Sequence, residues 1–259
     1  DDVFLIDGTV IMHPKTWEAS GHITNFSAPL VECKKCHKRF RADNLLSPWT
    51  HEVSNSTGPT IVRSLNRPEP HKPIKSNDLI DVKCSSCGTK GQFTEPRQFN
   101  LMFKTFLGPV EDEANIAYLR PETAQSMFED FKLVQESMRK SLPFGIAQIG
   151  RCFRNEITTG NFTFRSREFD IAEIEYFVKP GEDEKHFNLW LDEWEKFFLA
   201  LGLKKENLRR YEHPKKSLAH YSKRTVDIEY KFPFGWKELA GVANRTDFDL
   251  AQHSKFSGQ

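Results

Sequence analysis

Apolar residues recur at two periods along this chain, and the changes of period divide it into elements. From Asp170 to Val178 the residues alternate as in a β-strand, whose side chains point to opposite faces at each step. Glu173 and Glu175 fall among the apolar positions of that run, an unusual load of charge for a strand that covers a core. An apolar run ending at Phe153-Arg154-Asn155-Glu156 precedes it. A glycine-containing loop then leads through Phe164-Arg165-Ser166-Arg167-Glu168-Phe169, so the two runs predict a charged hairpin. Upstream, Met127, Phe131, Val134 and Met138 recur at helical spacing as far as Lys140. Arg120 precedes Pro121, which pushes it towards an extended conformation at the end of a strand or loop. Glu122 falls at the predicted helix start, where the helix dipole favours a carboxylate.

The second half of the chain is punctuated in the same way. Phe187, Trp190, Leu191, Trp194, Phe197, Phe198 and Leu201 predict an amphipathic helix stopped by Gly202, its aromatic stripe serving core packing. Lys204–Lys223 is highly charged and predicts a solvated helix or loop rather than an RNA track. Thr225–Phe232 alternates as a strand, Gly235–Gly241 continues into another extended segment, and Asn244–Leu250 reads as a turn into a helix. No internal repeat is visible. The mixture predicts an α+β fold with a mainly antiparallel sheet.

Composition locates an insertion. Residues 1–28 read as an extended leading segment that turns between Trp17 and Gly21. Residues 29–95 hold all but one of the cysteines, and residues 96–259 hold the hairpin and the long helix. Within the insertion, Ser47–Asn77 contains Pro48, Pro59, Pro68, Pro70 and Pro73 among many polar residues, the composition of a linker or mobile arm. Lys and Arg number 37 against 36 Asp and Glu, a balance that neither demands nor excludes RNA. No apolar run is long enough to span a membrane and no signal-peptide pattern begins the chain, so no membrane role is predicted and the cytoplasm is the expected location.

Two groups of residues carry chemistry. Cys33-x-x-Cys36 and Cys84-x-x-Cys87 are paired knuckles, and four thiolates so arranged suit a tetrahedral, structural Zn²⁺, with disulfides as the alternative. His37 is an unneeded further ligand, and Cys152, inside the strand leading to Arg154, reads as a buried inert thiol. The hairpin gathers arginines and carboxylates on adjoining strands. That pattern suits an anionic ligand that also carries a cation, such as a nucleotide beside an ammonium group. The alternative is a solvated hairpin laced with cross-strand ion pairs.

The ordered phrases RPET (120–123), GRCFRNE (150–156), FRSREFDIAEIEYF (164–177), DIEYKFPFGW (227–236) and GVANRTDFDL (241–250) make the chain resemble the catalytic domain of a class II glycyl-tRNA synthetase of the homodimeric type. FRNE with its loop and return strand resembles motif 2 of class II. RQFNLMF (97–103), and the stretch from Met12-His13-Pro14 to Trp17-Glu18-Ala19-Ser20-Gly21-His22, also fit that family. No segment matches motif 1 or motif 3 and none matches an anticodon-binding domain, so the chain is expected to be the middle of a longer enzyme.

The resemblance implies a six- or seven-stranded antiparallel sheet flanked by helices, with the cysteine-bearing segment as an inserted zinc-ribbon-like subdomain. It also implies ATP-dependent activation of glycine with release of pyrophosphate, then transfer to the 3′ end of tRNA(Gly) by a homodimer. Arg154 would bridge the α-phosphate and the glycine carboxylate, and Glu156 would accept from the adenine amino group or order Arg154. Asn155, Phe164 and Arg165 would complete the ATP site, Arg165 towards the β- or γ-phosphate, with Phe169 offering an aromatic face to adenine and lining the glycine site. Glu238 would hold Mg²⁺ on the phosphates beside Leu239. Glu122 and Glu173 would bind the glycine ammonium, with Arg41 on the substrate side. Two other readings compete: a synthetase-like, non-catalytic ATP- or RNA-binding protein, and a zinc-ribbon nucleic-acid-binding module using Lys34, Lys35, Lys38, Arg39, Phe40 and Arg41.

Overall fold

A computed structural model describes residues 2–46, 51–53, 61–64 and 73–258. The chain forms two compact units. The first takes in the leading segment, both cysteine knuckles, the charged hairpin and the C-terminal helix from Asp249. The second runs from Val178 to Phe248 and includes the strands His51–Val53 and Ile61–Ser64. The rest of the proline-rich 47–72 segment, expected as a linker or mobile arm, lies outside the described residues.

The hairpin is the backbone of the first unit. Phe144–Phe153 pairs antiparallel with Glu168–Phe177, in a register that sets Phe144 opposite Phe177, Gln148 opposite Glu173 and Cys152 opposite Phe169. Because side chains alternate, these pairs share one face, and on it Phe144, Ile146, Gln148 and Cys152 are wholly buried. Glu173 therefore points inward because of its register position. Arg151, Glu168 and Asp170 form ion pairs exposed to solvent, so the alternative of cross-strand ion pairs describes this outer part of the hairpin.

Two helices, Ala124–Glu129 and Phe131–Ser137, pack Ala124, Met127, Phe128 and Val134 against Phe144, Ile146 and Phe177. Burying each large apolar side chain in such a core is worth about 1.5–3 kcal/mol. The sequence predicts one helix here; instead the axis bends at Asp130, which has φ −87° and ψ 1°. The bend keeps the helical ladder, since Asp130 N–H still donates to Ser126 O and Val134 N–H to Asp130 O. Met138 is the C-cap and is half exposed rather than core, because Arg139 turns left-handed at φ 51° and ends the helix.

Arg120 ties these pieces together. Its backbone N–H donates to Val10 O, and its carbonyl accepts from Phe153 N–H. Its guanidinium, in a residue only 2 % exposed, donates from Nε to Arg151 O (2.9 Å) and from Nη1 to Gly8 O (2.6 Å) and Thr9 O (3.4 Å). A Cβ on Gly150 would lie 2.2 Å from Arg120 Nη2, and one on Gly8 would lie 2.6 Å from Ser126 Oγ. Gly150 is therefore required by close packing against this cation, and Gly8 by close packing against Ser126.

The ladders of the described residues are narrower than the sheet the resemblance implies. They divide into one five-stranded and three three-stranded sheets, mainly antiparallel, the exceptions being Val3–Leu5 on Phe144–Phe153 and Ile61–Ser64 on Leu208–Glu212.

In the second unit the helix Asp183–Ala200 lays Phe187, Leu191 and Phe198 on Val226 and Ile228, and Gly202 takes a left-handed φ of +91° beyond its end. Phe197 and Leu201, counted in the aromatic stripe, are half exposed or more. The charged stretch 204–223 is not a solvated helix or loop throughout: Leu208–Glu212 is a strand paired with Arg224–Phe232. Its charges are absorbed, Arg209 by Glu229 (2.6 Å, both buried) and Arg210 by Asp192 and Glu195 on the helix. A strand whose buried positions include an arginine defeats any reading by hydropathy. Among the described residues no helix is long and apolar enough to cross a membrane.

Gly150→Ala is expected to destabilise the protein by about 1–3 kcal/mol, because Arg120 cannot yield without leaving buried carbonyls unbonded. A shift of the urea unfolding midpoint checks this; an unchanged midpoint would show that the guanidinium moves freely.

Candidate functional site

The mouth of the hairpin is shaped by Arg154. Its backbone N–H donates to Arg167 O (2.9 Å), closing the ladder, and its Nε donates to Pro121 O (3.0 Å). Its guanidinium carbon lies 5.3 Å from the Phe169 ring and 5.6 Å from the Phe26 ring. With Nε occupied, the terminal N–H groups remain as a rigid fork of the kind that grips carboxylate or phosphate.

Glu156, only 4 % exposed, lies two residues on. Its Oε1 accepts from Arg165 Nη1 at 3.0 Å and its carbonyl accepts from Arg167 Nε at 3.1 Å. Its Oε2 is buried with no hydrogen-bond partner. The Glu156 carboxylate thus holds Arg165, the arginine expected to face a phosphate, by one of its terminal nitrogens. A buried acceptor without a donor costs about 1–3 kcal/mol, a cost that a ligand N–H would remove. Asn155 is anchored through its backbone N–H to Leu101 O (2.7 Å), and Phe164 sits in the loop with its N–H on Asn161 O (3.1 Å).

A second feature is a pair of acids. Glu173 Oε2 accepts from Thr123 N–H at 2.6 Å and from the Thr123 hydroxyl. Burial and the neighbouring Glu122 carboxylate push the Glu173 pKa up, opposed by the Thr123 hydrogen bonds and by the charge of Arg154. The helix begins at Ala124 with Thr123 as its N-cap, so the carboxylate bound at the helix start is Glu173 and not Glu122. Glu122 Oε1 instead accepts from Gln125 Nε2 (2.9 Å), while His22 Nε2 lies 3.5 Å from Oε2. Gln125 is wholly buried. It also donates to Asp249 Oδ1 (3.2 Å) and accepts from His253 Nε2 (2.8 Å). Two adjacent carboxylates close to an arginine suit a ligand with a cationic and an anionic end.

Sequence reasoning missed Thr123, Gln125 and His22. The available signal was polar residues at positions of the helical and turn pattern that face inward. Arg41 is half-buried and bidentate with Asp43 (3.2 and 2.7 Å), and the nearby Glu156 charge also favours its cationic form. Glu238 and Leu239 belong to the second unit, on the strand Gly235–Asn244, with Leu239 at the bulge between the pairs Ile228–Ala240 and Glu229–Glu238.

The cysteines converge in the first unit. The Sγ atoms of Cys33, Cys36, Cys84 and Cys87 all lie within 4.8 Å of one another, with Cys33–Cys87 and Cys36–Cys84 both at 3.7 Å. All four are free thiols, so the disulfide alternative is not realised. A tetrahedral metal with Zn–S bonds of about 2.3 Å places its sulfurs about 3.8 Å apart, so the donor set fits that ion. The knuckles are built alike: His37 N–H donates to Cys33 O and Gly88 N–H to Cys84 O, with left-handed φ at His37 (57°) and Gly88 (72°). The His37 ring is turned to Glu32 (3.1 Å), away from a ligand role. Cys152 is buried and its thiol is pushed up to about 12 by burial, which makes it inert as a nucleophile.

The family described as tRNA synthetase class II core domain (G, H, P, S and T) matches residues 84–257. The glycine–tRNA ligase of Streptomyces coelicolor is 51 % identical over 262 residues, covering 100 % of this chain and 53 % of that protein. That of Bifidobacterium longum is 52 % identical over 261 residues, covering 100 % of this chain and 50 % of the relative. That of Alkaliphilus oremlandii is 52 % identical over 254 residues, covering 98 % and 54 %. The chain thus spans about half the length of the curated relatives it matches. Among solved structures, the serine–tRNA ligase of Naegleria fowleri in complex with AMP aligns over 60 % of this chain and 33 % of its own, with 21 % identity and a TM-score of 0.48.

Two outcomes are expected. Purified protein should carry about one zinc per chain by elemental analysis, and Cys84→Ser should lose it; full metal content in that variant would refute the four-sulfur site. Glu173→Gln should raise the thermal midpoint of the unliganded protein by a few degrees at neutral pH. Because the folded-state pKa is raised, wild-type stability falls as pH rises through that pKa, so the advantage of Gln should shrink on acidification. An advantage independent of pH would contradict the assignment.

Proposed function

The chain belongs to the class II tRNA synthetase core-domain family of the G, H, P, S and T group, and from that premise we propose that it is the catalytic part of a glycine–tRNA ligase. The observation that carries the reading is the pair Glu122 and Glu173 close to Arg154, groups suited to an ammonium and a carboxylate.

In the first step a glycine carboxylate oxygen would attack the α-phosphorus of ATP in line. A new P–O bond forms as the bond to the bridging oxygen of pyrophosphate breaks, giving glycyl-adenylate. Arg154 would bind both reacting anions, holding them together and neutralising the charge that develops on the phosphoryl oxygens. Glu156 Oε2 would accept from the adenine amino group, the donor its buried position lacks. Phe169, with the Arg154 guanidinium against its ring, would line both the adenine and the glycine sites. Asn155 and Phe164 would complete the nucleotide site, and Arg165 would act on it through Glu156. Mg²⁺ would accompany the phosphates, with Glu238 as candidate ligand and Leu239 beside it, and Arg41 would lie on the substrate side. In the second step a hydroxyl of the terminal ribose of tRNA(Gly) would attack the glycyl carbonyl, and AMP would leave.

Glycine offers no side chain to grip, and rejecting one methyl group in an ordinary apolar pocket gives only about 1–3 kcal/mol. Fixed carboxylates do better, because an intruding methyl would also unpair charges. The four-cysteine cluster would hold structural Zn²⁺. A cleft of about 460 Å³, lined by Lys38, Arg39, Thr158 and Arg167 among others, supports an approach of the RNA backbone beside the hairpin loop. The homodimer and the cytoplasm are proposed from the resemblance.

Amino-acid-dependent ATP–pyrophosphate exchange, run on the full-length natural protein that contains this chain, tests the reading. Exchange is expected with glycine and not with alanine or serine, and Arg154→Ala should lower it by at least about a hundredfold. No exchange with any amino acid, despite tight ATP binding, would instead favour a synthetase-like binding protein.

A further inference from the structure

Gln125 is a wholly buried amide that the proposed chemistry leaves unused. It lies in the first turn of the helix Ala124–Glu129, and its Nε2 donates to Glu122 Oε1 at 2.9 Å. Its other hydrogen bonds reach the C-terminal helix Phe248–Ser257. Nε2 also donates to Asp249 Oδ1 at 3.2 Å, and Oε1 faces His253 Nε2 at 2.8 Å. That helix is firmly seated: the His253 ring stacks on Phe128, Leu250 packs on the core that holds Phe128 and Phe144, and Asp249 is buried.

The neighbours fix the direction of the amide. Ionised carboxylates only accept, so both amide N–H groups turn to Glu122 and Asp249. The amide oxygen also only accepts, so the imidazole of His253 carries a proton on Nε2. Turning the amide over would set its oxygen against two carboxylate oxygens and its N–H groups against a ring N–H. A local bond at a helix start would need Glu122 alone, whereas Asp249 and His253 lie 124 and 128 residues further along the chain.

We propose that Gln125, held by Asp249 and His253, is a positioning residue for glycine recognition that fixes Glu122 where it meets the substrate ammonium. The proposal rests on the glycine-activation reading above. The amide is uncharged, so it orders the acid without adding a cation that would compete with the ammonium. Its own oxygen and both N–H groups are engaged, so it resists following Glu122 when a larger substrate pushes on that acid. Gln125 thereby contributes to discrimination against alanine as well as to glycine affinity. Through this amide the C-terminal helix acts on the site.

The test uses the full-length protein and initial rates of ATP–pyrophosphate exchange, with folding of each variant checked by thermal melting. Gln125→Met, similar in length but without the amide, is expected to raise KM for glycine about tenfold or more and leave KM for ATP within about twofold. The preference for glycine over alanine should narrow in the same variant. His253→Phe, which keeps a ring on Phe128 and removes the donor to the amide, should raise the glycine KM to a smaller extent. His253→Gln, whose amide nitrogen can replace Nε2–H, should recover most of that loss, and the two His253 variants decide the matter if Gln125→Met does not fold. A wild-type glycine KM in every folded Gln125→Met and His253→Phe protein would overturn the inference and leave glycine activation intact. So would a rise in the glycine KM matched by an equal rise in the ATP KM. Absence of glycine-dependent exchange in the folded wild-type protein would overturn both.

Discussion

The first unit depends on one buried cation. Among the described residues Arg120 has no carboxylate partner at hydrogen-bonding distance; backbone carbonyls of Gly8, Thr9 and Arg151 share its N–H groups. Burying a charge this way is tolerable only when its donors are met, so the three carbonyls and the arginine specify one another's positions. Close packing then dictates Gly150 on the hairpin, and the hairpin is pinned to the leading segment. Pro121 follows and offers its carbonyl to Arg154 Nε, and Glu122 and Thr123 come next. The candidate site is thus tied to the anchor through the three residues that follow it. A rigid mount is what a site needs when its task is to hold small charged groups in line.

The constellation itself is built against stability. Glu173 is pushed towards its neutral form by burial and by Glu122, and Glu156 keeps a buried oxygen without a donor. Neither aids packing, and each would be relieved by a ligand that brings a cation or an N–H donor. Strain of this kind, held by well-satisfied surroundings, separates a binding site from a merely charged hairpin. The outer face of the same hairpin makes the contrast, since Arg151, Glu168 and Asp170 neutralise one another in solvent and ask for nothing more.

Much of this was legible in the chain. Period-two alternation located the hairpin and put Glu173 on its apolar side, and the knuckle spacing located the four thiols that the fold brings together. What failed did so for physical reasons. The strand Leu208–Glu212 hid behind charges that find partners only in the folded state. The bend at Asp130 has no sequence punctuation, because it preserves the helical ladder. The capture of the Thr123 N–H by Glu173 is a pairing between elements that no spacing rule encodes. The hydrogen bonds of Gln125 to Glu122 and Asp249 are of the same kind.

The most direct test of the central claim, that a fixed pair of carboxylates reads the ammonium of glycine, is a binding comparison by calorimetry. A non-hydrolysable glycyl-adenylate analogue would be titrated beside its glycolyl counterpart, in which a hydroxyl replaces the ammonium. Binding of the glycolyl compound weaker by about ten- to a hundredfold is expected, since charge-assisted hydrogen bonds are worth about 1.5–3 kcal/mol. Equal affinities would contradict the account and leave Glu122 and Glu173 as structural acids.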